Sequence, residues 1–179
     1  PGDPGVVGSL FLNPVELAPG QAASIGAGVV HAYLSGGGLE VMANSDNVLR
    51  AGLTAKRVAL QELLDVVRFE SKPAHADVPV STTRGTPESH WRVLEYPAHF
   101  SEYQATSYTA HGQPPPIEVG GPSRGVLLCL AGSAVVSGDG GRLALAPGDA
   151  VFLDAGERVE MDSARGTVAF VTSPNDAAS

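Results

Sequence analysis

Cysteine is nearly absent from this sequence. Cys129 is the only one, so no internal disulfide can staple the chain. It stands in the apolar run Val126–Leu130, where a lone thiol reads as a small buried hydrophobe. Aromatic residues are scarce, at 6%. Positive charge is also scarce: 11 Lys and Arg face 19 Asp and Glu, for a net charge of -8. A domain this acidic is a poor partner for nucleic acid or anionic membranes, although a local basic pocket is not excluded. No apolar stretch reaches the ~18 residues of a membrane span, and no signal peptide opens the chain. The cytoplasm is the expected compartment. An initiating methionine is missing as well. Pro1-Gly2-Asp3-Pro4-Gly5 leads straight into an apolar segment, as an internal loop of a longer protein would.

Hydrophobic residues make up 43%, enough for a globular core, and Gly and Pro are plentiful at 22 and 14. That mix suits short strands joined by many turns better than long helices. β-type runs are expected at Val6–Leu12, Val15–Leu17, Gln21–Ile25, Val30–Leu34, Leu39–Ala43 and Asn47–Arg50. Leu60, Leu63, Leu64 and Val67 follow the i, i+3, i+4, i+7 spacing and predict one short helix near 58–68 with a buried stripe. Residues 71–89, rich in Pro, Ser, Thr and charge, read as a linker with a short strand near Val78–Val80. Strands resume at Trp91–Glu95 and Phe100–Ala110, and Gly112–Pro122 reads as a surface loop. Five strands follow: Val126–Ala131, Ala134–Ser137, Arg142–Leu145, Ala150–Leu153 and Thr167–Thr172.

An internal repeat organises these segments. Residues 19–28 align without gaps on residues 147–156. Each copy begins Pro-Gly (Pro19-Gly20, Pro147-Gly148) and ends Ala-Gly (Ala27-Gly28, Ala155-Gly156). Pro-Gly supplies a tight turn, a short strand follows, and Ala-Gly turns into the next strand. Such a unit looks like the second motif of cupins, which are small double-sheet jelly rolls. Two copies imply two cupin units. Carried further, the alignment sets His31 on Val159 and Tyr33 on Met161. The first copy keeps polar, metal-capable positions that the second replaces with aliphatic packing. Chemistry therefore belongs to the first unit, and the second is structural.

His31, Tyr33, Glu40, Asp46, Arg50 and Lys56 crowd into one short stretch. His31 and Tyr33 are two apart, so on a strand they share a face. Gly36-Gly37-Gly38 then reverses the chain, and a hairpin brings Glu40 beside them. Arg50 and Lys56 suit a phosphate or a developing oxyanion. The same spacing also suits a surface hairpin of ordinary polar residues.

The stretch His31-Ala32-Tyr33-Leu34-Ser35-Gly36, with Glu40, Met42-Ala43-Asn44-Ser45-Asp46-Asn47-Val48, Arg50-Ala51-Gly52-Leu53-Thr54 and Lys56, resembles the signature region of type I, zinc-dependent phosphomannose isomerases. Pro1-Gly2-Asp3, Leu12-Asn13 and Tyr96-Pro97 fit the same family. The close match covers roughly residues 1–70. The resemblance implies an all-β fold of two tandem cupins, the first incomplete. Residues 1–70 would be the C-terminal part of the catalytic cupin, 71–89 a linker, and 90–179 a second, non-catalytic cupin. It also implies the interconversion of mannose 6-phosphate and fructose 6-phosphate. His31 would be a zinc ligand, and Arg50 the catalytic arginine. Tyr33, Glu40, Asp46 and Lys56 would line the sugar-phosphate pocket, with Glu40 or Asp46 as the proton-transfer base.

One departure qualifies the expectation. Family members hold zinc with one Gln, two His and one Glu, and three of these lie far upstream of the signature. No Gln-x-His occurs in this sequence. A catalytic zinc needs three protein ligands and an open position, so the chain alone is expected to bind zinc weakly and to lack turnover. Its first 70 residues should expose strand edges, covered by a missing N-terminal fragment or by self-association. His75, His90, His99 and His111 lie outside any ligand spacing and are expected to be exposed. The competing reading is a non-catalytic cupin that binds a sugar phosphate or a partner protein. A cupin oxygenase is disfavoured, because its three-His-plus-Glu pattern is absent.

Overall fold

The computed structural model describes residues 2–3, 5–45, 48–70, 80–81, 90–96, 102–163 and 168–173. The chain divides into two compact units, Pro1–Asp77 and Val78–Ser179.

The second unit is a sandwich of two antiparallel sheets. Its strands are β1 (Val80–Ser81), β2 (Trp91–Tyr96), β3 (Gln104–Ala110), β4 (Ile117–Gly120), β5 (Gly125–Ala131), β6 (Ala134–Gly138), β7 (Gly141–Leu145), β8 (Ala150–Leu153), β9 (Arg158–Ser163) and β10 (Val168–Ser173). The pairing is nested. β3 pairs with β10, β4 with β9, β5 with β8 and β6 with β7. That is one long antiparallel ribbon turning back between β6 and β7. Curling the ribbon adds the pairs β10–β5 and β9–β6. It splits into a sheet ordered β1-β2-β3-β10-β5-β8 and another ordered β4-β9-β6-β7. This is the jelly-roll wrap expected from the likeness of the repeat to a cupin motif.

Alternation along the strands makes the core. In β5, Gly125, Leu127 and Cys129 are buried; in β9, Val159, Met161 and Ser163 are. Period-two burial is what a strand does when one face meets another sheet. Trp91, Val93, Val119, Val136, Leu145 and Leu153 complete the interior. Trp91 stays buried without losing its polar contact, because its indole N–H donates to the Pro115 carbonyl at 2.8 Å. Cys129 is fully buried, and removal from water pushes its thiol up from the ordinary value. Val159 and Met161, the counterparts of His31 and Tyr33, both point into this core.

The repeat is visible atom by atom. In the second copy the Asp149 N–H donates to the Ala146 carbonyl at 2.9 Å, and the Ala146 N–H donates back to Asp149 Oδ2 at 2.8 Å. In the first copy the Gln21 N–H donates to the Ala18 carbonyl at 2.9 Å, and the Ala18 N–H donates to Gln21 Oε1 at 2.8 Å. Gly148 at φ 94° and Gly20 at φ 86° supply the left-handed residue that each turn requires. The second turns also correspond, with Glu157 N–H to Asp154 O at 3.0 Å and Val29 N–H to Gly26 O at 3.3 Å. Turn chemistry is local, so both copies form it.

Strands are not local, and here the copies part. Ala150–Leu153 lies in a ladder against β5. Its counterpart at 22–25 has a single bridge residue, Ala22. Among the described residues of 1–70 there is no strand and no buried side chain. The first unit consists of extended segments and turns, with α1 (Gly5–Gly8), a 3-10 turn (Ser9–Phe11) and α2 (Leu60–Val66). The expected strands at 15–17, 21–25, 30–34, 39–43 and 48–50 are therefore not ladders in this structure. An extended backbone becomes a strand only when a neighbour takes its N–H and C=O groups.

Other expectations are corrected. Val6–Leu12 is helical at its start rather than extended. With no ladder available, the Val6 N–H turns back to the Asp3 carbonyl at 3.1 Å and the Leu12 N–H to the Ser9 carbonyl at 3.3 Å. The helix near 58–68 is present as α2, but its stripe is not buried: Leu60 and Leu64 are 61% and 51% exposed. Nothing in the described part of this unit forms a layer beneath it. β4 lies inside the expected surface loop, and β9 has no counterpart among the expected strands. Val78, residues 71–79 and 82–89, Phe100, Thr167, His75 and His99 fall outside the described residues. No described helix is long and apolar enough to cross a membrane.

Candidate active site

The second turn of the first repeat delivers the chain to His31. Its Nδ1 lies 3.0 Å from the Val29 carbonyl oxygen. A carbonyl can only accept, so Nδ1 is the donor in that contact. An imidazole fixed in this way presents Nε2 outward, as metal-ligating histidines do. The Tyr33 ring stands edge-on to His31, with centroids 6.0 Å apart and planes at 67°. The Tyr33 hydroxyl donates to Glu40 Oε1 at 2.9 Å. That bond, partial burial and the carboxylate charge hold the phenol above its ordinary value. His31, Tyr33 and Glu40 are thus linked in series across the bend at Ser35-Gly36.

The C-terminal end of α2 is tied to the same turn, since the Arg68 N–H donates to the Gly28 carbonyl at 2.9 Å. Arg50 Nη1 makes a long contact of 3.4 Å to the Val48 carbonyl. The backbone N–H of Lys56 donates to Thr54 Oγ1 at 3.1 Å. Asp46 lies outside the described residues. His90 and His111 are exposed, joined only through their backbones by a 2.7 Å bond.

The site is open in this structure. Tyr33 is 71% exposed and Leu34 is 86% exposed. Among the described residues no three His, Cys, Asp or Glu side chains come close enough to hold a metal ion. His31 fits as one ligand, but the described side chains do not make a zinc site by themselves.

A residue given no role by the sequence reading stands out here. Asp3 Oδ1 accepts from the Gly5 N–H at 2.7 Å, and Oδ2 accepts from the Leu53 N–H at 2.8 Å. It ties the start of the chain to the loop that follows Arg50. The available signal was an acidic residue set between Gly2 and Gly5. Its partner fifty positions away was not readable.

No family model matches the chain. Curated relatives do. The chain is 39% identical to the mannose-6-phosphate isomerase of Salmonella typhimurium over 96% of its own length and 42% of the relative's. It is 37% identical to the Escherichia coli enzyme of that name over 88% and 38%. It therefore spans about two fifths of the length of the curated relatives it matches. Among solved structures, phosphomannose isomerase from S. typhimurium with fructose 6-phosphate and zinc matches at TM-score 0.59 and 34% identity. That match covers 74% of this chain and 32% of that one. Three alanine variants of the same enzyme replace a histidine, a glutamate and an arginine. The intervals between them, nine and ten residues, are those from His31 to Glu40 and from Glu40 to Arg50. The jelly roll is thus of the cupin type, and the chain is a homologue of mannose-6-phosphate isomerases, covering a share of their length that fits the C-terminal portion.

Proposed function

We propose that this chain is the C-terminal part of an aldose–ketose isomerase that interconverts mannose 6-phosphate and fructose 6-phosphate. The carrying observation is the line His31–Tyr33–Glu40, with Arg50 ten residues on. It sits where the repeat register sets the interior-facing Val159 and Met161 of the second unit. By that register His31 and Tyr33 belong on the inner face of a barrel. The first unit would be the end of the catalytic cupin and the second a non-catalytic one. The matching histidine, glutamate and arginine intervals in the Salmonella enzyme support the same reading.

In the aldose-to-ketose direction, a base removes the proton from C2. The electron pair forms the C1–C2 double bond, and the C1 oxygen takes up a proton. The proton held by the base then returns to C1. The C2 hydroxyl loses its proton as the C2 carbonyl forms. Glu40 and Asp46 are the two carboxylates available as base. The Tyr33 hydroxyl holds Glu40 in place. Arg50 stabilises charge at the enediolate oxygens, and Lys56 pairs with the phosphate. Zinc, held by His31 with ligands from outside this sequence, would polarise the substrate oxygens when bound. No membrane or nucleic-acid partner is needed, and the expected compartment is the cytoplasm.

The test is to join this chain to the upstream part of the Salmonella relative and assay both sugar phosphates. The joined protein should interconvert them, and the chain alone should not. Metal-free binding of mannose 6-phosphate by the chain alone, with no turnover in the joined protein, would favour a non-catalytic binding module.

A further inference from the structure

We propose that Asp3 is a positioning residue that sets the reach of Arg50. This rests on the isomerase reading above. Both carboxylate oxygens are committed, one to the N–H of Gly5 and one to that of Leu53. Between those two bonds the backbones of Gly5 and Gly52 pass in direct contact. A Cβ on Gly52 would fall 2.8 Å from Asp3 Oδ1 and 2.9 Å from Gly5 Cα. Only glycine fits there, and its φ of 145° is one that side chains avoid.

Leu53, the next residue, has φ 54°. It is the one non-glycine residue with positive φ among the described residues. A branched side chain resists that conformation. It persists only where its surroundings impose it, and the bond from its N–H to Asp3 does so here. The loop carrying Arg50 and Lys56 is therefore clasped between its two cations. Both copies share the turns, but Ala131 stands at the repeat position of Asp3.

The experiment uses the joined protein and a double-mutant cycle. Asp3→Ala should lower kcat by about a hundredfold, as a misplaced catalytic group does. It should divide its effect between kcat and KM as Arg50→Ala does. In the Arg50→Ala background the same change should cost less than about twofold more. Asp3→Asn keeps one acceptor and should fall between. Additive losses, or a KM effect unlike that of Arg50→Ala, would overturn the proposal. A second readout covers variants that fold poorly and is independent of turnover. In the 179-residue chain, Asp3→Ala should deprotect the Leu53 amide and change the Arg50 Nε–H resonance. An unchanged Arg50 resonance overturns the clasp. If the joined wild type has no isomerase activity but both signals move, the isomerase reading fails and the clasp stands.

Discussion

Arg50→Ala in the joined protein is expected to lower kcat by about 10²–10³, the usual loss when one donor to a developing oxyanion is removed. Stability should not change. The Arg50 guanidinium makes one long contact among the described residues, 3.4 Å to the Val48 carbonyl. Such an exposed contact contributes little to folding. Arg50→Lys keeps the charge but not the planar fork of donors, and should recover only part of the rate. Steady-state kinetics with a thermal melt of each variant separate the two effects. An Arg50→Ala protein with wild-type kcat would remove the residue from the mechanism.

Leu127→Ala should act on stability instead. Leu127 is fully buried. It lies in β5, between β10 and β8 in the sheet order. Truncating such a leucine costs about 2–5 kcal/mol, with the spread set by how far the cavity collapses. A unit of this size loses roughly 4–8 °C of midpoint per kcal/mol. The second unit should therefore melt at least about 8 °C lower. A shift under about 3 °C, below what even the smallest expected loss gives, would mean that the sandwich interior is not packed around this strand. The first unit, with no buried side chain among its described residues, offers no position where a truncation would have a comparable effect.

Turns were more legible than strands. Pro19-Gly20 and Pro147-Gly148 form the same turn because proline fixes one residue's φ and glycine supplies the next, whatever surrounds them. Ala150–Leu153 was readable as a strand and is one, because β5 lies beside it. Residues 21–25 carry a related pattern and form no ladder, because a strand is a property of two segments. β9 could have been found: Arg158-Val159-Glu160-Met161-Asp162-Ser163 alternates polar and apolar, and its burial follows that alternation. β4 was hidden behind Pro114-Pro115-Pro116, whose turn signal hid the short Ile117-Glu118-Val119 alternation.

At the site, strand periodicity predicted a shared face for His31 and Tyr33 and a hairpin returning Glu40, but no ladder forms there. The Tyr33–Glu40 hydrogen bond joins only the two side chains. Asp3 escaped because its role depends on Leu53, and no local pattern links residues so far apart. The proposed zinc ligand is a local feature: the His31 ring meets the carbonyl of Val29, two residues back, whereas any further ligands would have to come from segments that no local pattern links to it.

Amide hydrogen exchange across residues 22–25, 30–35 and 40–43, before and after the upstream part of the enzyme is joined, probes whether the first unit is half of a barrel. In the chain alone these amides should exchange nearly as fast as unstructured peptide, while β5 and β9 stay protected. Joined, they should become protected together with the appearance of sugar-phosphate turnover. Slow exchange at these positions in the chain alone would contradict the account, because it would mean that the segment carrying His31 already has its strand partners.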